Sequence, residues 1–227
     1  MTLPGPFAGS ILLLNGIIGF FISFLIFKRN PTEILNKLIS IAMVAYSSYL
    51  FFRGVIFSLP LSMLSTFDFF RDISLTGAIV ASSFALMSGL YSWKGEEYIK
   101  QISILGTIIG LTIISIIIGV FFDSVVYDEQ TDIITNQFTA PIGAVGVLII
   151  PLVFMSIAVV AYISTFLTIE KNSPLYKKAL ILPVGLIFIT SGIAYSAIMA
   201  AIGYPPISIL ADIFYIIGSL LLFVAFR

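Results

Sequence analysis

Long apolar runs alternate along this chain with short clusters of charged and turn-forming residues, and the runs have the length of bilayer crossings. They fall at about 8–28, 38–59, 73–93, 102–122, 142–169, 178–202 and 206–226. A helix needs about twenty mostly apolar residues to cross the hydrocarbon layer. Irregular chain and open sheet are excluded there because their backbone groups would go unsatisfied. The pattern therefore predicts an all-α integral membrane protein, a single seven-helix transmembrane domain covering residues 1–227. The last two runs are divided only by Gly203-Tyr204-Pro205-Pro206, and proline cannot continue a helix. A six-span alternative would need one helix of nearly fifty residues carrying both of those prolines.

The basic residues set the expected orientation. Lys28, Arg29 and Lys37 lie between the first two spans, Lys94 and Lys100 between the third and fourth, and Lys171, Lys177 and Lys178 between the fifth and sixth; Arg227 ends the sequence. Arg71 is the one basic residue assigned to the opposite loops. The positive-inside rule then places the N-terminus outside and the C-terminus in the cytoplasm of a multi-pass cell-membrane protein. Asp123, Asp128, Glu129 and Asp132 fall in the longest external loop. Met1 to Ser10 lacks the positive n-region of a cleaved signal peptide, so the first span is expected to remain as a helix.

Composition narrows the chemistry. The chain is 59% hydrophobic and 10% charged, against roughly a quarter charged in soluble domains. It contains no cysteine and no histidine. Disulfides, thiol catalysis, histidine-ligated haem and the usual zinc sites are thereby excluded, and no cofactor is expected. A net charge of zero offers no basic surface for nucleic acid.

Two charges stand inside these expected spans. Arg53 lies six residues in from Leu59, and Asp212 six residues in from Pro206. An ionisable group in hydrocarbon costs about 2.5–3.5 kcal/mol on insertion scales, so a partner and a function are the default expectation. Asn15 and Tyr195 fall in the same layer, about 10 Å below the outer boundary at 1.5 Å per residue. Tyr46, Tyr49 and Arg53 follow i, i+3, i+7, while Ser208, Asp212, Tyr215 and Ser219 follow i, i+4, i+7, i+11, so each set shares a helix face. The third span is read as beginning with Arg71-Asp72 at its outer edge, followed by Ser74 and Thr76. Together these residues outline a pocket open to the outer face, with Arg53 and Asp212 at its floor. Arginine presents a planar fork to a carboxylate, and tyrosine an apolar face with a hydrogen-bonding tip. Two plainer readings are a structural Arg53–Asp212 pair locking two helices, and an Arg53 that snorkels to the headgroups.

Weaker signals complete the survey. Gly106, Gly110, Ser115 and Gly119 give small-xxx-small spacings on the fourth span, read as ordinary packing within the bundle or else as a homodimer contact. Pro151 and Pro183 inside spans five and six predict kinks that a hinge can use. Trp93 and Tyr91 read as interfacial anchors. Glu96, Glu97 and Lys100 read as a solvated cluster.

Microbial rhodopsins share a seven-helix layout with an aspartate on the last span, but Ile216 stands where a retinal-bearing lysine would have to be. Animal-type receptors match in topology alone. Lys28-Arg29-Asn30-Pro31, Leu35-Asn36-Lys37-Leu38, Phe69-Phe70-Arg71 leading to Gly77, and Lys177-Lys178 entering span six resemble the N-terminal seven-transmembrane sensory region of archaeal and bacterial histidine kinases. That resemblance implies ligand sensing from outside or within the membrane. With no kinase or other output domain after the last helix, it implies a fragment of a larger sensor or a free-standing one that signals through a protein partner. The expected function is thus a non-enzymatic, receptor-like membrane protein binding a small amphipathic or anionic ligand through Arg53, Asp212, Tyr49, Tyr46, Asn15, Tyr195 and Tyr215. The alternative is a small-molecule or ion transporter or channel using the Arg53–Asp212 pair as gate or substrate site. A purely structural subunit is a third class. Paired carboxylates for acid–base work are missing from the spans, which argues against an enzyme.

Overall fold

Apolar runs with no water to bond must close their backbone hydrogen bonds internally, and these runs fold as long helices. The computed structural model describes residues 6–59, 64–128, 133–138, 141–173, 176–201 and 208–226; at 6–8, 64–65, 123–128, 133–138, 141, 196–197, 200–201, 208–209, 212 and 226 it describes the backbone alone. The helices are α1 (Pro6–Arg29), α2 (Ile34–Ser58), α3 (Leu64–Lys94), the short α4 (Glu96–Ile99), α5 (Ile102–Phe122), the short α6 (Pro141–Ala144), α7 (Ile150–Leu167), α8 (Tyr176–Ala201) and α9 (Ser208–Phe226). Among the described residues, six helices are long and apolar enough to cross a bilayer. The chain is a multi-pass membrane protein. The turn at 203–206, the acidic residues Glu129 and Asp132, the first residues of the chain and Arg227 lie outside the described residues.

Two features depart from the expected layout. α3 starts at Leu64, nine residues before the expected position 73, so Arg71 and Asp72 sit inside the helix rather than at its edge. The acidic loop after α5 contains an antiparallel hairpin, β1 (Asp123–Asp128) and β2 (Ile133–Phe138), in a register that pairs Asp123 with Phe138 and Asp128 with Ile133. The end of the bundle next to it is called the hairpin end below, and the opposite one the lysine-rich end.

Around the bundle the order is α1, α2, α3, α7, α8, α9, with α9 returning to α1 along a short seam and α5 packed outside against α3. Small residues bring the backbones together. A Cβ at Gly54 would stand 2.8 Å from the Gly9 carbonyl oxygen, and one at Gly77 would stand 2.7 Å from that of Ala45. Ser23 and Ser40 each donate to the other's carbonyl, at 2.8 and 3.2 Å, and so tie α1 to α2 at the lysine-rich end. Ser74 Oγ donates to the Tyr49 carbonyl at 2.9 Å and fixes the register of α3 on α2. Tyr162 of α7 donates to Ser88 Oγ of α3 at 2.7 Å, and Ser83 and Thr112 share a 2.6 Å bond between α3 and α5. In lipid, such contacts replace the hydrophobic drive that holds soluble helices together.

Pro151 has a local consequence. It has no N–H to return to Val147, and its ring crowds the preceding turn. The chain answers with a π-helical turn over Val145–Ile149, where the Ile150 N–H bonds back five residues to Val145. Ser115 of α5 donates to the Gly146 carbonyl within that turn. Ser115 and Gly119 are therefore packed into the bundle, whereas Gly106 and Gly110 face open space.

Replacement of Gly77 by leucine is expected to destabilise the bundle by about 1–3 kcal/mol, because the clash is with backbone rather than with a side-chain tip that can turn away. Gly106→Ala, with no atom within 4 Å of its new Cβ, is expected to leave stability unchanged or slightly higher. Unfolding midpoints of the two variants in the same detergent check this contrast.

Candidate functional site

On α2, Tyr46, Tyr49 and Arg53 form a column that runs toward the hairpin end. Tyr46 and Tyr49 are buried and Arg53 is half-buried. The guanidinium carbon of Arg53 lies 5.9 Å from the Tyr49 ring centroid and 5.2 Å from that of Phe57, both within reach of cation–π attraction. α9 meets this column through Tyr215, whose ring stands edge-on to Tyr49 with centroids 5.4 Å apart at 84°. Tyr46 Oη donates to the Tyr215 carbonyl at 3.1 Å. Ser219 Oγ donates to the same carbonyl at 2.6 Å and lies 3.2 Å from Tyr46 Oη. A carbonyl already used in the α9 ladder thus receives two extra donors, which is possible because its oxygen has two lone pairs and tolerates shared geometry.

The remaining expected site residues fall around this contact. Tyr215 rests on Gly192 of α8, and Tyr195, one turn farther toward the hairpin end, is half-buried against the main apolar core. Asn15 of α1 is buried and shares a narrow crevice with Tyr46 and Ser219. Asp212 lies three residues before Tyr215 on α9. Since Tyr49 meets Tyr215, the opposite courses of α2 and α9 put the Asp212 backbone level with Arg53. The Asp212 side chain lies outside the described residues.

Sequence reasoning missed Arg71. It was assigned to an external loop, yet it is 4% exposed within α3 and is the most deeply buried charged side chain among the described residues. Its Nη2 lies 2.6 Å from Asp72 Oδ1 and its Nη1 3.3 Å from Asp68 Oδ1. Stacking of Phe70 on Phe52, with centroids 5.7 Å apart, places Arg71 at the same level as Arg53 across the α2–α3 pair. Spacing alone carried a signal: Asp68 and Arg71 are at i, i+3 with Asp72 adjoining, a set that can neutralise itself on one helix. Three ionisable residues in five positions look like loop, and that masked it. The two arginines differ chemically. Arg71 is held between carboxylates of its own helix, whereas Arg53 packs on aromatic faces beside a neighbouring helix.

The crevice beside Tyr46 has a volume of about 10 Å³ and is lined by α1, α2 and α9. That is smaller by more than an order of magnitude than the roughly 300–1,000 Å³ of small-molecule sites, so this gap as it stands admits nothing larger than water.

Tyr46→Phe is expected to cost about 0.6 kcal/mol, the usual size of an interhelical hydrogen bond in a membrane protein. Ser219→Ala is expected to cost a similar amount, and the double variant less than the sum of the two, because the two hydroxyls also contact each other at 3.2 Å and either single substitution already removes that contact. Thermal unfolding of the three variants supplies the cycle. Strict additivity would show the two hydroxyls acting independently.

The chain matches no known family model, and no curated protein matches it.

Proposed function

We propose that this protein is a seven-transmembrane sensor of the cell membrane, with its N-terminus outside and its C-terminus in the cytoplasm. It binds a small amphipathic or anionic molecule in the half of the bundle nearest the hairpin. The observation that carries this reading is the Tyr46–Tyr49–Arg53 column of α2 lying directly against Tyr215 of α9. Arg53 contributes positive charge and hydrogen-bond donors, Tyr49 and Phe57 contribute apolar faces, and Asp212 is the counter-charge that a bound anion displaces. A carboxylate or phosphate with a short alkyl tail satisfies both kinds of surface at once.

Signalling follows from which helices meet there. α9 starts beside Arg53 and ends at the lysine-rich, cytoplasmic side, so a change in the α2–α9 contact is transmitted along one rigid element. A ligand drives this change only through its differential affinity for the two arrangements. On a seven-span layout nine of the eleven Lys and Arg residues of the sequence would fall toward one face, which supports this orientation. The resemblance to histidine-kinase sensory regions supports output through a protein partner at that face.

Decanoate serves as the test probe. Below its micellar concentration it is expected to raise the unfolding midpoint of the purified protein, by an amount equivalent to about 2.7 kcal/mol at a hundredfold excess over its dissociation constant. Arg53→Leu, which suits an apolar span, is expected to fold and to lose the shift. An equal shift in that variant would remove Arg53 from the site. Because the chain lacks cysteine, single substitutions report topology cleanly: Asp123→Cys is expected to react with an impermeant maleimide on whole cells, and Lys171→Cys only after lysis.

A further inference from the structure

Asn15 carries more hydrogen-bonding capacity than its neighbours use. The residue is 8% exposed, no hydrogen bond from its side chain is seen among the described residues, and its carboxamide is not among the fully enclosed polar atoms, so it borders accessible space. Its carboxamide offers two N–H donors and one acceptor oxygen. In hydrocarbon such a group is costly to leave unmatched, and bulk water is not at hand to match it.

The surroundings supply what it needs, one step away. Asn15 lines the crevice of about 10 Å³ together with Gly19 of α1, Tyr46 and Ser47 of α2, and Ser219 of α9. Ser47 Oγ donates to the Met43 carbonyl and Ser219 Oγ to the Tyr215 carbonyl, so each commits its one proton and keeps a lone pair to accept with. Gly19 lets α1 come close enough to bring Ser47 Oγ to the wall of the crevice, since a Cβ there would collide with that oxygen. The volume is at the lower limit for one water molecule, and a buried water needs two to four polar partners. Ions fit less well, because none of the lining side chains is a carboxylate.

We propose that this crevice is a hydration site holding a single ordered water, which accepts from the Asn15 carboxamide N–H and donates to the hydroxyl oxygens of Ser47 and Ser219. The water joins α1 and α2 to α9 along the short seam where α9 returns to α1. It would make the bundle's closure polar and exchangeable rather than permanently packed. The hydration site shares Asn15 and Tyr46 with the expected ligand set, but it stands without the sensor reading because neither Arg53 nor Asp212 takes part.

Water-edited solid-state NMR of the labelled protein in lipid bilayers tests the assignment, with Asn15→Ala identifying the carboxamide signal. Magnetisation from water is expected to reach the Asn15 carboxamide, while the backbone amide of Ala158, fully buried on α7 and away from the crevice, stays dark. Ser219→Val, which removes one bridge and fills the space, is expected to abolish the transfer at Asn15 while gel filtration remains unchanged. An Asn15 carboxamide as dark as Ala158 would overturn the proposal. So would a transfer that survives Ser219→Val undiminished in a folded protein, because the water would then not be bridged to α9.

Discussion

Close approach of backbones at small residues is the constraint on which the rest of this molecule depends. Lipid tails compete with leucine and isoleucine for apolar contact, so apolar area by itself does not hold one span to the next. Gly9, Gly19, Gly54 and Gly77 let α1, α2 and α3 come near enough for serine hydroxyls to reach across to carbonyl oxygens. The same device recurs where Gly185 faces Gly218 between α8 and α9. Large aliphatic side chains are left to face outward, as the many exposed isoleucines, leucines and phenylalanines of α1 and α5 show.

Burying charge within such a bundle has two physical solutions here, at one level of the structure. Arg71 is neutralised by carboxylates from its own helix, and that arrangement travels with α3 as a unit. Arg53 rests on aromatic faces next to the contact between α2 and α9, so its environment depends on how those helices sit. A residue of the second kind is sensitive to rearrangement of the bundle. This difference, more than the presence of charge, is why the sensor reading centres on Arg53.

The bundle is also uneven in how tightly it is closed. α3 is largely enclosed, while α5 lies at the periphery with most of its surface turned outward. α5 is attached through Ser83–Thr112 and through Ser115 against the π turn that Pro151 imposes. At the other side, α9 closes on α1 around a water-sized gap rather than a packed seam.

How much of this was legible in the sequence varies with the kind of contact. Hydrophobic run lengths determined that the chain is a helical membrane protein, since each run must satisfy its own backbone within lipid. Spacing at i, i+3, i+7 placed Tyr46, Tyr49 and Arg53 on one face of α2, because helical periodicity is local. It did not reveal that this face meets Tyr215, nor that Ser115 and Gly119 are packed while Gly106 and Gly110 are open. Arg71 was misplaced because a charged triplet resembles a loop; its pairing with Asp68 and Asp72 is local to α3, and only its burial comes from the neighbouring helices. Tertiary structure alone decided these points: a repeat along one helix defines its faces, but only the register between helices, set at serines and glycines, decides what each face touches.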